Sequence, residues 1–331
     1  MVHFGKNLKG KDMSKYAIAF KTGKGLNDRV LQNMVTGRKL RKENALFSYY
    51  DKKTSIINLP YPEPLTPEQK RRPLPSDSIL DWPELNMGSE QVESYWFWGF
   101  MRNTKKIVDV SKQKDIPFFF VDHAYLYHRK HSAYRRLGDM ENCIYRVVKN
   151  NYVINKITDT NETRYLDLKQ RYSTDDELDI LDWKKDGSHI LVFPPSHWLC
   201  KMLGLNDEEM LNNSINTLKK YTDREIRVRL KKPDGNYNPV PLEEDLKNCH
   251  AVVSFQSSAA AKAIIKGIPS FTMYGDYSSV SPLSLKDLSK IETPIYPENR
   301  YEWLCNLANH QFYQSEIQSG HAERYLNEQD A

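Results

Sequence analysis

Four short strand-like runs, each followed by a stretch with helical spacing, dominate the second half of the chain. They lie at 188–193, 225–230, 251–255 and 268–273. Three are almost continuously apolar, and the 225–230 run alternates apolar and charged residues. Between them the pattern predicts helices through Leu199, Met202 and Leu203, over about 208–221, over 241–248, and from near Gln256 to Lys266, where Gly267 ends the last one. An apolar run needs cover on both faces, and a parallel strand needs a crossover to return. Both together at this spacing specify a doubly wound parallel α/β sheet.

The first half is less regular. Residues 16–20 read as a strand, and the glycine loop after it, 21–25, does not satisfy a Walker A motif. Seven prolines between residues 59 and 88 predict an irregular segment. Ser89 followed by Glu93 predicts a capped helix running into the aromatic residues 95–98, with a second helix or its continuation over 105–115. Residues 116–121 form another apolar run, read as a buried strand with Asp122 and His123 at its carboxyl end, and 145–150 as a further strand. Residues 158–187 are polar and acidic and read as an interdomain linker or an excursion just after it. The expected organisation is a first domain of residues 1–155, a second of 156–308, and a helical tail, 309–331, that crosses back to the first.

Charge is unevenly divided between the two halves. Residues 1–155 carry 27 Lys and Arg against 16 Asp and Glu, a net +11, whereas residues 156–331 carry 21 against 27, a net −6. The basic clusters around Arg38 to Lys42, Lys70 to Arg72 and Arg135–Arg136 are interleaved with Tyr49, Tyr50, Tyr125, Tyr127 and Tyr134. That mixture suits phosphates and exposed bases. The first half is either a solvated basic surface or the face that meets a polyanion such as double-stranded DNA, with Arg38, Arg41, Arg71, Arg135 and Arg146 as candidate contacts. With 39% hydrophobic residues the chain can bury a core, which excludes wholesale disorder. No apolar run approaches the roughly 18–20 residues that span a bilayer. The first residues lack a signal peptide's apolar stretch, and a cytoplasmic location without membrane attachment is expected. Cys143, Cys200, Cys249 and Cys305 form no C-x-x-C pair and are expected as reduced, mostly buried thiols. His123, His128 and His131 are close in sequence but read as ordinary histidines, so no metal site is expected.

Residues 245–271 are the most informative unit. A strand runs into Gln256, Ser257 and Ser258, which open a helix of small residues, and such a helix start directs several N–H groups and a positive dipole end at one place. Ser196 and His197 follow the first strand of this half, and Arg229 and Lys231 end its second. All therefore belong to strand carboxyl ends, where open α/β sheets bind ligands.

Residues 187–275 resemble the carboxy-terminal domain of GT-B glycosyltransferases, in which a strand and a serine-opened helix hold the diphosphate of a nucleotide-sugar, followed by a Gly-Ile-Pro strand. Here that strand begins at Gly267-Ile268-Pro269. The segments starting at Asp122, Tyr145 and Trp303 are similar to tailed-phage proteins described as glycosyltransferases. The resemblance implies a GT-B-like α/β fold, two Rossmann-like doubly wound domains facing a cleft. It implies an acceptor domain at 1–155, a donor domain at 156–308, and no required cofactor, the co-substrate being a nucleotide-sugar, expected as a UDP-sugar. It also implies sugar transfer to a hydroxyl, in the phage setting a 5-hydroxymethyl-pyrimidine such as hydroxymethylcytosine in DNA, inside the host cytoplasm. A polysaccharide or small-molecule acceptor, or a non-catalytic nucleic-acid-binding role on the same fold, are the competing readings. The glutamate that many of these enzymes place in the small-residue helix for the donor ribose is replaced by Ala259-Ala-Ala-Lys-Ala.

Sugar transfer requires neutralisation of a leaving diphosphate and removal of a proton from the acceptor. Ser196, His197, Arg229, Lys231, Gln256, Ser257 and Ser258 are the candidate donor residues. Asp122 is the candidate base with His123 second, the alternative for Asp122 being an ion pair with Arg129 or Arg146.

Overall fold

The structure is a computed structural model that describes residues 16–21, 45–49, 83–100, 104–127, 143–172, 178–230 and 240–329. The chain is mixed α/β with parallel strands and divides into two units, Met1–Phe119 and Phe120–Ala331. The expected boundary at residue 155 falls inside the second unit. Arg38, Arg41, Arg71, Arg135, Lys231, His128 and His131, the 22–25 loop and most of the proline-rich segment lie outside the described residues.

In the first unit, β1 (Tyr16–Lys21) pairs in parallel with both β2 (Ala45–Tyr49) and β3 (Val92–Trp98). The helix expected from Ser89 is therefore a strand. Tyr95 to Trp98 are buried at 0–2% exposure, so the run is apolar on both faces, and the aromatic side chains fit a pleated surface better than a helix. Trp96 stacks on Phe119 at 4.4 Å between ring centroids, and Trp96 Nε1 donates to Ser94 Oγ at 3.1 Å. Helix α1 (Thr104–Lys114) buries Thr104, Ile107, Val108 and Ser111, one stripe at helical spacing. Its last residue, Lys114, donates to the carbonyls of Leu85 and Met87, both at 2.7 Å.

Strand β4 (Phe118–His123) carries the chain into the second unit, where the strand order is β10-β5-β4 with β5 (Ile144–Lys149) and β10 (Gln311–Tyr313). β10 is antiparallel to β5, so the tail begins as a strand before its helices α8 (Gln314–Gln318) and α9 (His321–Glu328).

The second sheet of this unit contains β6 (His189–Phe193), β7 (Glu225–Val228), β8 (Cys249–Ser254) and β9 (Ser270–Thr272) in the order β7-β6-β8-β9, all parallel. These are the four strands read from the sequence. Ile190 and Val192 face one apolar cluster with Leu218, Val253 and Phe271, while Leu191 and Phe193 face the other with Ala260, Ile264 and Trp303. Both faces are covered by helices: α2 (Thr163–Tyr172), α3 (His197–Leu203), α4 (Asp207–Leu218), α5 (Leu242–Asp245), α6 (Ser258–Ile265) and α7 (Arg300–Asn309) are the α-helices before β10 in this unit among the described residues. Tyr125, Tyr127, Ile144 and Val148 join the same core. Tyr125 and Tyr127 are thus core side chains at 5% and 6% exposure, not surface aromatics for bases.

Helix α6 ends in a Schellman motif. The N–H of Ile268 donates to Ala263 O at 2.9 Å and that of Gly267 to Ile264 O at 3.1 Å, and Gly267 takes φ 77°. A Cβ at Gly267 would run into the Asp182 carbonyl. The described residues of the segment expected as a linker or excursion, 158–172 and 178–187, pack against this helix and α7. Leu181 N donates to Ile265 O at 2.9 Å, Lys184 N to Gly267 O at 2.7 Å, and α2 buries Tyr165, Leu168 and Tyr172. Asn306 of α7, 1% exposed, accepts from the N–H groups of Thr158 at 2.9 Å and Asp159 at 3.1 Å, and donates to Lys156 O at 2.8 Å. A polar segment can pack this closely because side-chain amides replace the water it would otherwise need. The four cysteines are free and buried, and burial pushes the thiols of Cys200 and Cys305 up to about 11 and that of Cys249 to about 12.

Replacing Asn306 by leucine keeps the volume but strips these backbone groups of their partner. The expected loss is about 2 kcal/mol, read as a lower urea midpoint with an unchanged m-value.

Candidate functional site

The order β7-β6-β8-β9 reverses direction between β6 and β8, because the chain leaves β6 on one side for β7 and returns on the other for β8. Ligands of open parallel sheets bind outside the carboxyl ends at such a switch point. The loop 194–196 leaves β6 there and the loop 255–257 leaves β8, so Ser196 and Ser257 flank the switch point. Arg229 ends β7 on the same edge, its N–H donating to Val192 O at 2.9 Å.

Ser257 is the N-cap of α6. Its extended backbone (φ −66°, ψ 131°) lets Oγ accept from Ala259 N at 3.2 Å, while its own N–H donates to Ser254 Oγ at 3.1 Å. Ser258 is exposed and Gln256 and Ala259 are half-buried, so the first turn reaches solvent. Behind it Ala260, Ala261 and Ala263 are at most 1% exposed, and their small size seats the helix closely on the sheet. Ser196 opens α3 without a side-chain cap bond. His197 is largely exposed, with Nδ1 3.0 Å from Asp207 Oδ1.

Arg229 is held in place. Its Nη1 is ion-paired with Asp245 and its Nη2 donates to Val240 O at 2.9 Å. Its charge is thereby matched within the protein, and the helix N-terminus is the clearer anion-directed feature of this edge.

A second group surrounds the carboxyl end of β4. Asp122 Oδ2 accepts from Arg146 Nη2 at 2.8 Å and Oδ1 from the N–H of His123 at 2.7 Å. Arg146, expected as a nucleic-acid contact, is 5% exposed and lies with its guanidinium 4.3 Å from the centre of the Tyr125 ring. It is a core side chain, drawn inward by its carboxylate partner. The pairing left open for Asp122 is therefore the one with Arg146. His123 is half-buried. Gln311, opposite Arg146 in the β5–β10 register, accepts from Leu126 N at 2.8 Å and so fixes the loop after His123. Burial is the main cause that raises the Tyr125 pKa, with Arg146 and the neighbouring Ser279 hydroxyl opposing it.

Ser279 belongs to the loop that leaves β9, so this loop joins the two groups. Trp303 Nε1 donates to Ser279 O at 2.9 Å, and Ser281 Oγ donates to Asn155 O at 3.3 Å. The same loop carries Tyr274 and Tyr277, which sequence reasoning missed; the signal was two tyrosines in Tyr274-Gly-Asp-Tyr277 directly after the last strand. Their rings stack at 5.9 Å and 16°.

A cavity of about 700 Å³ lies at the opposite, amino end of β7, lined by 219–224 and Glu292. Arg224 there is tied to Glu292 and to Gly187 O, and nothing in the lining belongs to the carboxyl edge. Among the described residues no three His, Cys, Asp or Glu side chains gather to hold a metal ion, and no helix is long and apolar enough to cross a membrane.

No protein-family profile and no curated protein matches the chain. Solved structures similar to it include the β-Kdo 2,4 transferase of Thermosulfurimonas dismutans KpsC, at 9% identity and TM-score 0.39 over 87% of this chain and 89% of that one. The β-Kdo 2,7 transferase of the same protein aligns at 12% identity and TM-score 0.42 over 95% and 99%.

Asp122→Ala leaves the Arg146 guanidinium, 6% exposed, without its carboxylate. The expected cost is about 2–4 kcal/mol of stability, and Asp122→Asn, which keeps an acceptor, should lose less. Equal urea midpoints for Asp122→Ala and the parent would mean that the pair does not hold this region.

Proposed function

We propose that the protein transfers a glycosyl group from a nucleotide-sugar to a hydroxyl acceptor, with the donor held at the carboxyl edge of the β7-β6-β8-β9 sheet. The observation that carries this is the switch point itself, flanked by Ser196 and by Ser257 at the start of α6. The leaving nucleoside diphosphate would take its charge compensation from the N–H groups and dipole of α6 and from the Ser258 hydroxyl. In the transfer, the bond from the anomeric carbon to the donor phosphate breaks, the acceptor oxygen bonds to that carbon, and the acceptor proton goes to a base. Both Asp122 oxygens already accept hydrogen bonds. His123 is therefore assigned the proton, and the Asp122–Arg146 pair the task of holding its strand end.

The arrangement is read as GT-B-like, with a UDP-sugar donor and without a required cofactor. The acceptor is assigned as a 5-hydroxymethyl-pyrimidine in DNA. The support for a polyanion is the net +11 of residues 1–155, which include Arg38, Arg41, Arg71 and Arg135.

The donor site is tested first. Ser258→Ala should weaken binding of UDP about tenfold or more, the worth of a hydrogen bond to a charged group, and leave the melting temperature unchanged. Ser257→Ala should also cost about 1 kcal/mol of stability, because it removes a cap. Calorimetry with the same UDP affinity for parent and Ser258→Ala would count against this location.

The acceptor is tested by nucleoside mass spectrometry after incubating hydroxymethylcytosine and hydroxymethyluracil DNA with the protein and a nucleotide-sugar panel. Transfer should fall about 100-fold or more in His123→Ala. DNA binding should weaken with salt at a slope of about −0.9 per phosphate contact, and charge reversal at Arg38, Arg41 and Arg71 should flatten it. Sugar transfer to a polysaccharide or small molecule, with salt-insensitive DNA binding, would remove the DNA acceptor and keep the transferase. DNA binding with no hydrolysis or transfer of any nucleotide-sugar would remove the enzyme.

A further inference from the structure

Tyr274 and Tyr277 are placed where the donor reading leaves a gap. Tyr274 is 44% exposed on the carboxyl edge of the sheet, although its loop is firmly fixed. Phe255, fully buried just after β8, meets both rings nearly edge-on, Tyr274 at 6.1 Å and 86° and Tyr277 at 6.3 Å and 71°. Thr272 Oγ1 donates to Gly275 O at 3.4 Å, Lys286 pairs with Asp276 at 2.7 Å, and Ser281 N donates to Ser278 O at 2.9 Å. Gly275 takes φ 49°, which lets the chain turn tightly between the two tyrosines.

An exposed aromatic on a loose loop is unremarkable. Here two rings are stacked, supported from below by a core phenylalanine, and braced by hydrogen bonds on both sides. Such a surface binds a flat ring at little further entropic cost, since the side chains are already ordered. Its position limits which ring. Phe255, which carries the stack, is two residues before Ser257, the cap of the helix assigned to the diphosphate. A nucleoside diphosphate places its base one ribose away from its phosphates, and a ligand whose phosphates meet α6 would project its base along this edge.

We propose that Tyr274, backed by Tyr277, is the stacking platform for the nucleobase of the nucleotide donor. The inference rests on the donor-site reading above and adds to it the residue that binds the base. Stacking is tolerant of base identity, because every base offers a π-face. The platform therefore supplies affinity for a nucleotide over a bare phosphate.

The test is calorimetric, on the full chain. UDP, CDP, ADP and GDP are titrated first, and the tightest of them is then compared with inorganic pyrophosphate across variants. Tyr274→Ala should weaken nucleoside diphosphate binding roughly 5- to 150-fold, the range of a lost base–aromatic stack, and leave pyrophosphate binding unchanged. Tyr274→Phe keeps the ring and should keep the affinity. Unchanged nucleotide binding in Tyr274→Ala would overturn the platform while leaving the donor site in place. An equal loss for nucleotide and pyrophosphate would overturn it too, since the effect would not belong to the base. A parent protein that binds neither ligand would remove the donor site and the platform together.

Discussion

Buried polar side chains on one helix hold the second unit together. From α7, Arg300 donates to Leu181 O at 2.6 Å and Ile264 O at 3.2 Å, Trp303 to Ser279 O at 2.9 Å, and Asn309 to Asn161 O at 2.9 Å, in addition to the Asn306 bonds. Each of these acceptors is a loop or helix-end carbonyl that would otherwise need water. Burial lowers the Arg300 pKa, and the guanidinium lies 4.0 Å over the Trp183 ring. A buried cation is tolerated there because its donors close backbone carbonyls that have no ladder partner. One helix thus orders the 156–161 segment, the end of α6 and the loop after β9 at the same time. The two groups of candidate site residues share this support.

That arrangement separates what hydropathy can reveal from what it cannot. Three of the four parallel strands of the second sheet, β6, β8 and β9, were legible because they are buried on both faces, the exposed edge strand β7 by its alternation of apolar and charged residues, and Gly267 and Pro269 marked the turn between α6 and β9. The strand β3 was not legible. Ser89 and Glu93 resemble a helix cap, and a run of four aromatics has no period to oppose it. The packing of the described residues within 158–187 was not legible, for the opposite reason. It comes from the Asn306 and Asn309 amides, about 150 residues away in sequence, and from Arg164 paired with Glu316. Composition records that such a segment is polar. It does not record that its polar groups have partners.

The same limit governs the charged site residues. Position in the strand order placed Arg229 at the carboxyl edge and Asp122 near the end of β4, with Arg146 inside β5. Their pairing was decided by residues 16 and 24 positions away. A cation on a strand is available to a ligand only if the protein has not already given it a carboxylate. Asp245 does so for Arg229, and Asp122 for Arg146. Both pairs are mostly removed from water, where separating them costs more than a phosphate contact at the surface would return.

With Arg229 engaged, an anion at this edge would meet the N–H donors of α6 and the hydroxyls beside them. A helix terminus presents about half a unit of charge, so recognition of this kind depends on donor direction more than on field strength. It is also short in range, which favours a ligand whose remaining atoms are held by something other than charge. The braced tyrosine pair beside Phe255 is a surface of that type. A site built from N–H groups and stacked rings would be less sensitive to salt than the basic first half, and salt dependence therefore distinguishes binding at the sheet edge from binding through residues 1–155.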